Sequence, residues 1–275
     1  MRTRAEKGQL FQELHKRPGI LLVPNPWDAG TAKILESLGF EAMATTSLGL
    51  ANSLGRVDGS GAVSREELLQ NCRAIAAATS LPVTADLENG YADDPGTAAT
   101  IIRDAAGAGI VGGSIEDASG DPAKPIYDFN HAVERIRAAV EMARSLTVPF
   151  VLTARADGFL HGHTSLDDTI KRLQAFEAAG ADVLYAPGLR DLGTMSTVIS
   201  AVGKPLNVVM SAADPILTVE DLANVGVKRI SVGGALSRLA LAAFITGARE
   251  MKELGRFSWV RDTVPTRDLK PIFQR

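Results

Sequence analysis

The sequence predicts an α/β protein built as one (β/α)8 barrel, on three observations. Three segments, PVTADLENG at 82–90, GGSIEDASG at 112–120 and PFVLTARADG at 149–158, are apolar runs whose charges gather near the C-terminal end. That pattern belongs to the working rim of a parallel sheet, where reactive groups stand above a packed core. Strand-like runs recur along the whole chain, and amphipathic Ala- and Leu-rich stretches of helical length separate most of them. Finally, 275 residues with 45% hydrophobic content are enough for a full core, and no Pro/Ser/Gly-rich linker divides them.

In chain order the strands are expected at 20–24, 42–46, 82–87, 113–116, 150–154, 183–186, 206–210 and 229–232. Helix starts are marked by side chains able to accept from free backbone N–H groups: Ser64 with Glu67, Ser165 with Asp168, Thr218 with Asp221, and Asp94 ahead of Pro95. Gly39, Gly107, Gly180 and Gly226 are expected to end helices in the left-handed conformation. Eight strands with helices between them close more economically into a barrel than into an open sheet. The barrel is taken as residues 1–254, ending in one long helix over 236–254. The tail 255–275 carries Phe257, Trp259, Val264 and Phe273 among charges, and it either docks on another subunit or folds under its own barrel.

Composition narrows the function classes. The net charge is -3 with scattered Lys and Arg, which gives no electrostatic footprint for nucleic acid or an anionic membrane. Small molecules are the expected partners. The single cysteine, Cys72, excludes an internal disulfide framework, and no apolar run approaches the ~18 residues of a spanning helix. A cytoplasmic location is the expectation.

The strand-end charges Asp86, Glu88, Glu116, Asp117, Arg155 and Asp157 are expected to converge. Asp86 and Glu88 lie two apart and point to one side of a strand, and Glu116 ends the adjacent strand as a third oxygen donor. Hard oxygen donors without Cys or a convincing His favour Mg²⁺ or Mn²⁺ over zinc. The alternative is ion pairing of these carboxylates with Arg155, Arg103 or Lys124. Arg155 carries a permanent fork suited to a carboxylate or enolate oxygen. The turn Thr45-Thr46-Ser47-Leu48-Gly49 offers hydroxyls and N–H groups for an anionic oxygen. Cys72 reads as a partly buried small hydrophobe remote from any strand end, His161 and His163 as loop surface or lid, and His131 as a solvated helix face.

Taken together, PNPWDAGTAKILESLGF, SLGRVDG, ADLENGY, SIED, VLTARADGF and ERIRAAV, in this order, resemble the isocitrate lyase and phosphoenolpyruvate mutase superfamily over nearly the whole chain. The resemblance implies a barrel that binds Mg²⁺ and a small 2-oxo or 2-hydroxy acid and passes through an enolate. It also implies a homo-oligomer, dimer or tetramer, that exchanges its last helix. Carried over by motif, Asp86, Glu88 and Glu116 are the metal residues, and Arg155, Glu116 and Asp58 the catalytic ones. Thr46, Ser47, Leu48 and Gly49, with Arg155, are the substrate-binding residues. Three departures stand out. Glu88 replaces an Asp, Ala92 replaces a Gly, and the loop ASGDPAKPIYDFNHAV has neither the Lys-x-Cys-Gly-His of the lyases nor the mutase pattern. The implied activity is therefore C–C cleavage of an oxaloacetate- or isocitrate-like dicarboxylate without a cysteine acid. C–P chemistry on phosphonopyruvate and non-catalytic binding of a 2-oxo acid are the alternatives.

Overall fold

A computed structural model describes residues 2–274. Eight parallel strands follow one another around a ring: β1 (Leu21–Val23), β2 (Met43–Ala44), β3 (Val83–Asp86), β4 (Gly112–Glu116), β5 (Val151–Arg155), β6 (Val183–Tyr185), β7 (Leu206–Val209) and β8 (Arg229–Ser231). Each neighbour pairs in register from β2 to β8 and from β8 back to β1. Between β1 and β2 the Ala44 N–H donates to Pro24 O at 3.0 Å, which joins the remaining edges. All eight expected strands are present, and the fold is the expected barrel.

Helices cover the outside: α2 (Ala29–Ser37), α3 (Ser47–Ser53), α4 (Arg65–Ala78), α5 (Pro95–Gly107), α6 (Phe129–Ser145), α7 (Leu166–Ala178), α8 (Leu192–Ala201), α9 (Val219–Asn224) and α10 (Ala235–Arg249). The start signals act as read. Ser64 and Thr218 form reciprocal capping boxes with Glu67 and Asp221, and Asp94 caps α5 ahead of Pro95. Of the stop signals, Gly39, Gly180 and Gly226 have positive φ, but after α5 that role falls to Gly109 (φ 96°), with Gly107 still helical. Among the described residues no helix is long and apolar enough to cross a membrane.

The barrel interior changes character along its axis. Its floor is apolar, where Leu21, Val23, Ala42, Val111, Val151 and Val183 pack against Phe11 and Leu14 of the N-terminal helix α1 (Arg4–Lys16). That helix lies across the N-terminal ends of the strands. A side chain at Gly112, at the start of β4, would meet Phe11 at 2.8 Å and Val151 O at 2.9 Å, so this glycine lets the helix approach. Above the floor the strands turn polar residues inward, and their C-terminal ends carry the charges.

The long C-terminal helix keeps its register through α10 and then widens into one π-type turn at Glu250–Leu254, ended by Gly255 at φ 59°. Leu239, Leu241, Phe244 and Ile245 on α10 are exposed, Phe244 at 73%. Beyond it, α11 (Thr266–Phe273) returns to its own barrel. Lys33 Nζ of α2 donates to Phe273 O at 3.1 Å, and Ile272 shares a cavity with Lys33 and Glu36.

Candidate active site

Arg155 is the centre of the mouth. It ends β5 with its side chain pointing inward, and Asp157 grips it with two bonds, Nε to Oδ1 at 2.5 Å and Nη2 to Oδ2 at 2.7 Å. Nη1 faces Glu116 Oε2 at 3.0 Å and Asp86 Oδ1 at 3.5 Å. Burial disfavours the charge of the guanidinium, yet Asp157, Glu116 and Asp86 outweigh it and hold Arg155 protonated well above its ordinary range. The Tyr185 ring, at the end of β6, lies 5.3 Å from the guanidinium carbon and gives it an aromatic flank.

Asp157 is itself fixed. Its N–H donates to Asp117 Oδ1 at 2.7 Å, and Asp117 Oδ2 accepts from Arg172 Nη1 of α7 at 3.1 Å. Asp117 is 2% exposed, and burial raises its carboxyl to about 6. The expected convergence is therefore only partly met. Asp117 turns away from the mouth and serves, through Asp157, to set the angle of Arg155.

Asp86 ends β3 with Oδ1 toward Arg155 and Oδ2 toward the Ser47 N–H at 3.5 Å. Its own N–H donates to Thr45 Oγ1 at 3.0 Å. Glu88 follows in a turn that places both it and Tyr91 at positive φ, 50° and 61°, a strained geometry for side-chain-bearing residues. The Tyr91 hydroxyl donates to Glu88 Oε1 at 2.7 Å. Burial pushes the Glu88 carboxyl up to about 7, with Asp86 and Asp58 adding to the effect and Tyr91 opposing it. Burial also raises Glu116 well above the usual carboxylate range and raises Asp58, with Asp86 adding to the effect and the nearby Ser47 hydroxyl opposing it. Ser47, Asp58, Glu88, Glu116 and Arg155 all line one open cavity of about 650 Å³.

The acids of this mouth are a hard-oxygen donor set under mutual repulsion, which suits a divalent cation. Among the described residues no three of them are gathered into a cluster able to hold a metal. Glu88 is turned to Tyr91 and Glu116 to Arg155. These carboxylates therefore do not form a closed cage of three side chains.

The turn after β2 divides its labour. Ser47 presents its N–H and hydroxyl to the mouth. Thr46 caps α3, its Oγ1 accepting from the Gly49 N–H at 3.3 Å. Gly49 is pressed between Thr46 and Trp27, where an added side-chain carbon would come within 2.8 Å of either, and Leu48 packs on Gly234. So only Ser47 of the four candidate binding residues offers both a hydroxyl and an amide to the mouth cavity. Cys72 departs from expectation. It is fully buried beneath the rim, near Thr45, and burial pushes its thiol up to about 12. Arg103 pairs with its neighbour Asp104, not with the mouth carboxylates.

Sequence reading missed several residues. Asn25 ties three strand ends, donating to Thr45 O and accepting from the N–H groups of Val232 and Gly233, all at 2.9 Å. Arg135, 2% exposed, collects the carbonyls of Asn89, Ala92 and Asp93 and lies over Tyr127, which fixes the loop that carries Glu88 and Tyr91. Tyr185 had a readable signal: in DVLYAPG it stands at a strand end, as Arg155 does in VLTARADG.

Residues 11–252 match the family profile described as phosphoenolpyruvate phosphomutase. The chain belongs to the isocitrate lyase/phosphoenolpyruvate mutase superfamily. Within it, a Mycobacterium tuberculosis (strain ATCC 25618 / H37Rv) protein designated Rv1998c is 30% identical, covering 88% of this chain and 89% of the relative. The 2-methylisocitrate lyase of Escherichia coli K12 is 28% identical over 95% of this chain and 90% of its own length. An oxaloacetate decarboxylase from Bradyrhizobium diazoefficiens (USDA 110) is 29% identical over 74% and 70%. Among solved structures, a provisionally assigned lyase/mutase from Burkholderia cenocepacia J2315 superposes with a TM-score of 0.96 at 52% identity, covering 99% of this chain and 97% of that one. Oxaloacetate acetylhydrolase in complex with its product oxalate gives 0.87 at 26% identity, covering 98% and 93%. Superfamily membership supports lyase or mutase chemistry on a small oxo acid or dicarboxylate.

Proposed function

We propose that this protein is a Mg²⁺-assisted lyase that breaks a C–C bond of a small 2-oxo or 2-hydroxy dicarboxylate, of the oxaloacetate or isocitrate type, through an enolate. The observation that carries this reading is Arg155, clamped by Asp157 and aimed between Asp86 and Glu116 at the open mouth. Relatives named for 2-methylisocitrate and oxaloacetate cleavage, and a solved structure holding oxalate, agree with it.

Asp86 would hold Mg²⁺, with Glu88 and Glu116 partly through water, and the ion supplies Lewis-acid polarisation of the 2-oxo oxygen. Arg155 and the Ser47 N–H stand on either side of Asp86 and stabilise negative charge as it builds on that oxygen. Asp58 orients the Ser47 hydroxyl. As the C–C bond of an oxaloacetate-type acid breaks, its electron pair forms the enolate C=C while the carbonyl π pair moves onto the oxo oxygen, and the leaving carboxylate departs as CO₂. For a 2-hydroxy acid, a mouth carboxylate would take the hydroxyl proton as the hydroxyl-bearing carbon departs as a carbonyl product, and the remaining fragment's carboxylate takes up the pair. A proton then returns to carbon. The loop 118–128 provides no cysteine for this step, and its Tyr127 hydroxyl is committed to Asp93 at 2.5 Å, which leaves water at the open mouth as the donor.

A panel of oxaloacetate, isocitrate-type acids and phosphonopyruvate, assayed with and without Mg²⁺, tests the reading. Metal-dependent release of pyruvate or glyoxylate is expected, with Arg155→Ala slowing turnover by ~10²-fold or more. Near wild-type turnover in that variant removes Arg155 from the mechanism, turnover of phosphonopyruvate alone makes this a C–P enzyme, and tight oxalate binding without turnover of any member makes it a binding protein.

The exposed apolar face of α10 supports assembly of this chain as a homo-oligomer. Phe244→Glu is expected to lower the mass measured by light scattering to that of one chain.

A further inference from the structure

Below the mouth lies a second space. A cavity of about 50 Å³ runs down the barrel interior from Asp86 and Arg155 to Arg229, Asn207 and Ser231. A single water needs about 10–15 Å³ by such a measure, so the space holds a few waters or one small ion or carboxylate group.

The lower end contains a cation with no counter-charge. Arg229, at the start of β8, is 5% exposed and forms no ion pair with any carboxylate among the described residues. Its neighbours are neutral. Nε donates to Asn207 Oδ1 at 2.8 Å, and Nη1 approaches His15 Nε2 of α1 at 3.4 Å. The other nitrogen of that ring, Nδ1, lies 2.7 Å from Phe11 O and must be the protonated one, so Nε2 presents its lone pair to Arg229. Burial and the adjacent Arg229 push His15 down to about 3, which keeps it neutral in ordinary buffers. Asp86 is the one carboxylate lining this cavity among the described residues, and it stands at the far end with its oxygens directed at Arg155 and the Ser47 amide.

Hydroxyls surround the same space. Thr84 and Ser114 line it, and neither side chain makes a hydrogen bond within the protein. Thr153, paired with Ser114 across the β4–β5 register, carries a fully buried hydroxyl with no partner. A guanidinium so enclosed costs several kcal/mol unless a counter-charge answers it. Burial brings Arg229 down only to about 10, so it remains charged at neutral pH.

We infer that the barrel interior contains a small-anion site floored by Arg229 and distinct from the Mg²⁺ and Arg155 machinery of the mouth. Its ligand is a monovalent anionic group the size of a halide or a carboxylate. Two sources fit that chemistry: a free anion, or the far carboxylate of a dicarboxylate whose other end sits at the mouth. The site does not depend on the reaction proposed above.

Crystals of the full chain soaked in bromide or in succinate, with anomalous data for the bromide, locate the ligand. Melting temperatures of the wild type and of Arg229→Met in a HEPES buffer, with bromide or formate added, measure its effect. A free-anion site is expected to give an anomalous peak in contact with the Arg229 guanidinium and to raise the wild-type melting temperature by roughly 5 °C or more near saturation, with no change in R229M. If the occupant is instead part of a dicarboxylate, bromide leaves no peak, succinate places a carboxylate on Arg229, and calorimetric affinity for succinate falls at least ~10-fold in R229M while pyruvate affinity holds. Absence of both bromide and carboxylate from Arg229, with melting temperatures indifferent to either anion, overturns the inference. The soaks of the unaltered chain decide the matter even if R229M does not fold.

Discussion

Arg155 and Arg229 both project into the interior of one barrel, from the end of β5 and the start of β8, yet their surroundings have little in common. Arg155 touches three carboxylates, Asp86, Glu116 and Asp157. Arg229 touches an amide and a neutral imidazole. The barrel thus carries an excess of acid at one side of its mouth and an excess of base deeper inside. At the mouth the acids outnumber the arginine, which is the electrostatic condition for a divalent cation. Inside, the arginine stands alone, which is the condition for an anion. Two ligand classes can be told apart from the balance of charges alone.

One substitution applied at both places tests the contrast most severely. Arg155→Met leaves the buried Asp157 and the half-buried Asp86 and Glu116 without their cation and is expected to destabilise the fold by about 3–5 kcal/mol, whereas Arg229→Met in anion-free buffer is expected to be neutral or stabilising. Urea unfolding of the two variants measures both. Equal losses would mean that the two arginines are held by the same kind of partner, and the contrast would fail.

A smaller effect sharpens the acid side. The folded protein holds the Glu88 proton up to about 7, while the unfolded chain releases it near 4.5. Between those values the folded state binds more protons than the unfolded one, so stability falls as pH rises through the window, by roughly 3 kcal/mol at most. Glu88→Gln is expected to remove that slope. In chelator-treated protein the wild type should lose stability between pH 5 and pH 8 relative to E88Q, and Mg²⁺ should return part of the loss to the wild type alone. Parallel curves for the two proteins would show that Glu88 is not under the strain described.

Much of this was legible in the chain. Eight strands, the capping residues Ser64, Asp94 and Thr218, and the strand-end positions of Asp86, Glu116 and Arg155 follow from local pattern, because strand alternation and capping act within a few residues. What local pattern does not carry is direction in space. Asp117 stands beside Glu116 in sequence, yet the alternation of strand side chains sends it outward to Arg172 and the Asp157 amide. Gly107 and Gly109 both fit a helix stop, and only the path of the following strand selects the second. Cys72 lies mid-helix, but the helix crosses behind β2, which puts its thiol against Thr45. In sequence Arg229 is only the first residue of an expected strand, and its meaning depends on His15, more than two hundred residues earlier.

The helix that plugs the floor has a consequence for traffic. With Phe11 and Leu14 sealing the lower end, the barrel is a blind tube with a single doorway past Arg155. Whatever reaches Arg229 must enter before the doorway is filled and can leave only after it has emptied. A free anion held at Arg229 would therefore exchange only while the entrance is empty, so that its residence time would be set by the ligand at the doorway.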